Sequence, residues 1–200
     1  AEGGTVSPAE FIPIAEETGT IVPIGSWAIL DALTHLRHWI DSGSCGLHAT
    51  MSVNVSPRQL HDPNFVSVVK EALMWWYTRT HQLWLEMTES VMVTEPEQAL
   101  TALNRLVALG VRIAIDDFGT GYSSLSLLQR FPIQRIKIDR AFVHDIVNNR
   151  DTQSLVRTII AMGQALNLEL VAEGVETPEQ LRILGEMNCT KAQGFLISHP

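Results

Sequence analysis

The chain has 200 residues, 46% of them hydrophobic, and a formal net charge of -8. That content suffices for one sizeable core, and the acidic balance excludes a long nucleic-acid partner, which needs a basic surface. No apolar run reaches the roughly 18 residues of a membrane helix, no signal pattern is visible, and Cys45 and Cys189 are too few for a disulfide framework. A single domain over residues 1–200, in a reducing cytoplasm and without membrane contact of its own, is the expectation.

Taken in chain order, residues 48–56 read as a strand ending at Asn54, and residues 83–89 as a second strand with Glu86 and Glu89 at its tip. Residues 111–117 form an apolar, β-branched run that stops at the adjacent carboxylates Asp116 and Asp117 and a glycine-rich turn. Three further strand-like runs follow: residues 135–139 carry Lys137 and Asp139, residues 168–175 carry Glu173, and residues 191–197 carry Gln193. Between the runs, residues 63–76, 96–109, 152–166 and 178–187 place apolar side chains at three- and four-residue intervals, several after a first-turn proline, and are predicted helices. Strands alternating with helices predict an α/β fold with a parallel sheet and right-handed crossovers. A barrel of such units gathers every strand's C-terminal end at one rim, where such enzymes place their chemistry.

Neighbours on a strand face opposite ways, so Val53 and Val55 are expected to face helices while Ser52 and Asn54 face inward. By the same alternation Ala114 and Asp116 share one side, as do Lys137 and Asp139. Acids, an amide and an amine converging on one rim need a ligand or metal to offset their desolvation. Asp116 and Asp117 repel one another unless a cation lies close, and hard divalent metals prefer such oxygen donors. The competing reading is a capped turn, with Asp117 as a local acceptor and the glycines supplying positive φ.

The segments 11–19 (Phe-Ile-Pro-Ile-Ala-Glu-Glu-Thr-Gly), 52–56 (Ser-Val-Asn-Val-Ser), 85–90 (Leu-Glu-Met-Thr-Glu-Ser) and 116–125 (Asp-Asp-Phe-Gly-Thr-Gly-Tyr-Ser-Ser-Leu) together resemble the EAL domain family. So do 136–140 (Ile-Lys-Ile-Asp-Arg), 172–177 (Ala-Glu-Gly-Val-Glu-Thr) and 193–195 (Gln-Gly-Phe), in order and at the family's spacing. The resemblance implies a TIM-type (β/α)8 barrel and a phosphodiesterase that hydrolyses the bacterial second messenger cyclic di-GMP to linear pGpG. It implies that Asn54, Glu86, Asp116 and Asp117 are ligands of a two-metal Mg2+ or Mn2+ site, that Lys137 and Glu173 position and activate water, and that Gln193 orients it. Glu89 would anchor the loop that follows Asp117, while Asp139 and Glu176 would support Lys137 or form surface ion pairs. A homodimer is expected of the complete domain, and a membrane-tethered parent chain with a cyclase or sensor domain is compatible with the family.

The family carries its Glu-Ala-Leu tripeptide on a first strand; here the tripeptide occurs only as Glu71-Ala72-Leu73, within the helix predicted over residues 63–76, and not on such a strand. The expectation is therefore a truncated domain, incomplete at both ends, marginally stable or prone to aggregate. Three alternatives stand beside the enzyme: a catalytically silent cyclic di-GMP receptor, a barrel using Lys137 for Schiff-base chemistry, and an interaction module. His61-Asp62 and His144-Asp145 read as solvated pairs rather than metal ligands, Trp75-Trp76-Tyr77 leave at least one ring exposed, and Asn188 ends a helix in the left-handed conformation.

Overall fold

The structure, a computed structural model, describes residues 6–75, 80–93, 95–121 and 125–199. Six strands follow one another in one sheet in the order β1-β2-β3-β4-β5-β6: β1 (Met51–Asn54), β2 (Leu83–Thr88), β3 (Arg112–Phe118), β4 (Arg135–Ile138), β5 (Glu169–Ala172) and β6 (Lys191–Ala192). The helices are α1 (Pro8–Thr18), α2 (Ile21–Asp41), α3 (Pro57–Leu60), α4 (Phe65–Trp75), α5 (Ser90–Val93), α6 (Pro96–Ala108), α7 (Leu125–Arg130), α8 (Arg140–Asp145), α9 (Arg150–Ala165) and α10 (Pro178–Glu186). The chain forms two compact units, Ala1–Leu85 with Glu97–Arg112, and Glu86–Pro96 with Ile113–Pro200.

In the first unit, α2 buries Ile21, Gly25, Ile29, Leu33 and Leu36, a stripe at three- and four-residue intervals. Gly25 is required by close approach, because a Cβ there would lie 1.8 Å from Nε2 of Gln59. Gln59 in turn closes a capping box with Ser56 at the start of α3, satisfying backbone donors that the short helix would otherwise leave free. Arg58 donates from Nη1 to the Glu16 and Glu17 carbonyls at the end of α1. Gln82, fully buried, donates to the carbonyls of Leu47 and Ala49. Along β1, Val53 is buried while Ser52 and Asn54 are exposed.

In the second unit, β3, β4, β5 and β6 pair in parallel. Ile113, Ala114, Ile115, Ile136, Ile138 and Ala172 are sealed from water, as expected of strands covered on both faces. Glu169 at the start of β5 ties β4 to β6 through Arg135 and through Lys191 Nζ at 2.5 Å. Burial alone would raise its pKa, but Lys191 and Arg135 hold the carboxyl below its ordinary range. Thr177 and Gln180 close a second capping box at the start of α10. A glycine is demanded at position 194, where a Cβ would meet the Val175 backbone oxygen at 2.2 Å.

Several expectations change. The strand predicted over 191–197 is only Lys191–Ala192, because the chain turns at Gly194 and returns hydrogen bonds from Ile197 and Ser198 to its carbonyl. Of the two glycines after the acidic pair, Gly119 has the expected positive φ (101) and Gly121 does not, whereas Asp117 itself adopts φ 51. The periodicity-based helices omit α1 and α2, and also α7 and α8, which are too short for a clear helical period. Trp75 is exposed and Asn188 has φ 63, whereas Trp76 and Tyr77 lie outside the described residues.

Candidate metal centre

Glu86 on β2, Asp116 and Asp117 on β3, Lys137 on β4 and Glu173 just after β5 all belong to the second unit. Parallel pairing brings their strand ends side by side, and register decides which side chains meet. Ile115 pairs with Ile136 and Phe118 with Ile138, so Asp116 and Asp117 together oppose the single residue Lys137. This is a β-bulge, which bends the strand and re-aims its side chains. Strict alternation would send the two aspartates to opposite faces. The bulge and the left-handed backbone of Asp117 instead bring both carboxylates into one cluster with Glu173, ligand oxygens lying within 4.8 Å of one another.

Lys137 is buried among acids. Its Nζ lies 2.6 Å from Glu86 Oε2, 2.7 Å from Glu173 Oε1 and 3.1 Å from Asp116 Oδ1. Burial alone would lower the lysine's pKa, but its hydrogen bonds to Glu173 and Glu86 outweigh that and raise it, so the ammonium stays charged. One monovalent cation cannot neutralise the whole cluster. The Glu173 carboxyl is pushed up to about 7, chiefly by burial and with help from Asp116, against the opposing pull of Lys137. Asp117 is pushed up to about 6 by partial burial of its carboxyl, by its contact with the Asp139 side chain and by the charge on Asp116. Three crowded hard oxygen donors fit a divalent ion such as Mg2+ or Mn2+, whose charge would relieve this repulsion.

The raised values set a pH dependence. A carboxyl whose folded pKa exceeds its unfolded one favours folding most below the unfolded value and loses that contribution as pH rises through the folded one. Metal-free protein is therefore expected to lose about 2–3 kcal/mol through Glu173 between pH 4 and 8, with a smaller, solvent-screened share from Asp117. Denaturant melts across that range check it: Glu173→Gln removes most of the slope, and saturating Mn2+ flattens it in the parent.

The remaining candidates sit as follows. Glu89 is buried, and its Oε1 accepts a 2.6 Å hydrogen bond from the Gly119 amide; Tyr122, Ser123 and Ser124 of the same loop lie outside the described residues. Asp139 caps α8 by accepting from the Ala141 amide at 2.7 Å. Glu176 is exposed and lines a cavity of about 350 Å³ with Arg140, Ala141, His144, Asp145 and Gly174. Gln193 is exposed just beyond β6, its backbone bridging the Ala172 carbonyl and the Val175 amide. Asn54 belongs to the first unit, exposed at the end of β1. His144 Nδ1 lies 2.9 Å from Asp145 Oδ1 in the open, while His61 is only partly exposed, with its Nε2 buried and unpartnered among the described residues. The sequence reading placed Glu173 beside Lys137 but did not count it among metal ligands. Its position after β5, in register with the acidic tip of β3 through β4, is the signal that finds it.

The EAL domain family profile matches residues 1–200. The bifunctional diguanylate cyclase/cyclic di-GMP phosphodiesterase MucR of Pseudomonas aeruginosa is 41% identical over 197 residues, 98% of this chain and 28% of its own length. The cyclic di-GMP phosphodiesterase PdeR of Escherichia coli is 42% identical over 199 residues, covering 100% of this chain and 30% of the relative. The chain thus spans under a third of these curated relatives. Among solved structures, the MucR phosphodiesterase in complex with c-di-GMP superposes with a TM-score of 0.94 at 41% identity, over 100% of this chain and 80% of that one. The FimX EAL domain of Pseudomonas aeruginosa bound to c-di-GMP gives 0.89 at 26% identity, over 100% and 78%. The strand-helix order is accordingly that of a TIM-type (β/α)8 fold, incomplete here. The chain belongs to the EAL domain family.

Proposed function

We propose that residues 1–200 act as one EAL-type domain that hydrolyses cyclic di-GMP to linear pGpG with bound Mg2+ or Mn2+, in bacterial second-messenger signalling. The carrying observation is the cluster of Asp116, Asp117 and Glu173 beside the charged, buried Lys137. Relatives named as cyclic di-GMP phosphodiesterases, and a relative's complex with c-di-GMP, support the substrate.

Asp116, Asp117 and Glu173 would hold the metal ions, with Glu86 close by, 2.6 Å from Lys137 Nζ. When bound, such ions supply Lewis-acid polarisation of a phosphodiester and a lowered pKa for bound water. Lys137, fixed by three carboxylates, presents its charge at a set position and orients the water through the acids it holds. Glu173, one oxygen of which Lys137 engages, has a second oxygen for the proton that water releases, as a general base needs. Gln193 is assigned to orient water or substrate by hydrogen bonding, and Asn54 to a metal ion; both roles rest on the resemblance. Asp139 caps α8 and also contacts the Asp117 side chain, while Glu89 holds the Gly119 backbone. Glu176 and Arg140, on the cavity beside Glu173 in sequence, offer an acceptor and a donor to a guanine edge. A cytoplasmic setting, a homodimer and a longer parent with a cyclase or sensor domain complete the proposal.

The test is product formation from cyclic di-GMP, followed by chromatography, with a polypeptide extended to the limits of the relatives' EAL domains. Hydrolysis is expected in Mg2+ or Mn2+ and is expected to vanish in EDTA and return on adding metal. Tight nucleotide binding without product would favour a receptor. Activity that survives chelation and is trapped by borohydride would favour Schiff-base chemistry at Lys137.

A further inference from the structure

An ammonium has three N–H donors, and Lys137 has a different carboxylate within reach of each: Glu86, Glu173 and Asp116. Two of those three acids, Asp116 and Glu173, also belong with Asp117 to the group that can hold a metal ion. The lysine is therefore a resident cation sharing two of three ligands with any ion that enters. Glu86, side chain 9% exposed and 2.6 Å from the ammonium, lies outside that group and keeps the lysine in place. An entering dication must draw Asp116 and Glu173 partly away from Lys137, and it meets a fixed positive charge at close range.

We propose that Lys137 is a built-in competitor for divalent metal, whose charge lowers the affinity of the Asp116, Asp117 and Glu173 cluster and so makes occupancy follow the free metal concentration. The inference rests on the metal-binding reading of the cluster given above. A purely structural lysine predicts the reverse: without it the carboxylates repel, spread apart and bind metal less well. Competition and support thus differ in the sign of one measured constant.

The experiment is calorimetric titration of the extended domain with MnCl2 at pH 8, where protons compete little for the carboxylates, with the electron paramagnetic resonance signal of free Mn2+ as a second readout. Lys137→Gln is expected to tighten Mn2+ binding at least about tenfold, while Lys137→Arg, which keeps the charge, stays within about threefold of the parent. Lys137→Met replaces the glutamine variant if circular dichroism shows the latter unfolded. Unchanged or weaker binding in a folded neutral variant overturns the inference alone, and so does failure of both neutral variants to fold, which would make the lysine a structural support. Absence of Mn2+ binding by the parent overturns the metal reading and this inference together.

Discussion

Replacing Glu173 by glutamine is expected to lower kcat for cyclic di-GMP hydrolysis by about 10²–10⁴-fold, the usual range for loss of a general base. The amide preserves volume and can still accept the 2.7 Å hydrogen bond from Lys137, so the packing around the lysine survives. It cannot take a proton at neutral pH. The rate should fall with little change in KM, because the interaction lost is made as the water is deprotonated rather than when substrate binds. Glu173 also belongs to the metal-holding group, so titration with Mn2+ separates its roles. A lower kcat at parental Mn2+ affinity marks a base; loss of both together marks a ligand. Hydrolysis at the parental rate would remove Glu173 from the mechanism.

The second large effect is on stability. In metal-free protein Lys137→Met is expected to cost about 3–5 kcal/mol, the range found when one partner of a buried ion pair is removed. In a chain of this length that shifts Tm by roughly 2–4 °C per kcal/mol. Nothing among the described residues takes its place, because Glu86, Asp116 and Glu173 all rely on this ammonium. The loss should be larger at pH 8 than at pH 5. Carboxyls deprived of their counter-charge have folded pKa values above the unfolded ones, so they are protonated and tolerated at low pH, and the penalty grows as pH rises through those values. Saturating Mn2+ should restore much of the melting temperature at pH 8, since the dication replaces the missing charge. Equal melting temperatures for parent and variant at pH 8 without metal would show that the ion pairs contribute nothing net.

What could be read in the sequence was the set of polar strand tips. Asp116-Asp117 after an apolar run, Lys137 two residues into a β-branched run and Glu173 at the end of another are local patterns, and local patterns follow from alternation and turn chemistry. The same periodicity located α4, α6, α9 and α10 to within about two residues of their ends. It overextended the last strand, because the turn at Gly194 depends on contact with the Val175 backbone rather than on the local residues.

Which acids meet was decided only in three dimensions. Alternation alone puts Asp116 and Asp117 on opposite faces and makes one of them irrelevant to a rim site. Pairing of β3 with β4 inserts a bulge at just those two positions, and Asp117 adopts a left-handed backbone, so both aspartates join Glu173. Bulges arise from how two strands with distant sequences fit one another, and no window of one strand contains that information. The triple engagement of Lys137 is of the same kind, joining Glu86, which stands 51 residues before it, to Glu173, just beyond the next strand. The chain's composition and alternation supplied the chemistry; the register of its parallel strands chose the partners, because only that register sets which charges share a desolvated volume.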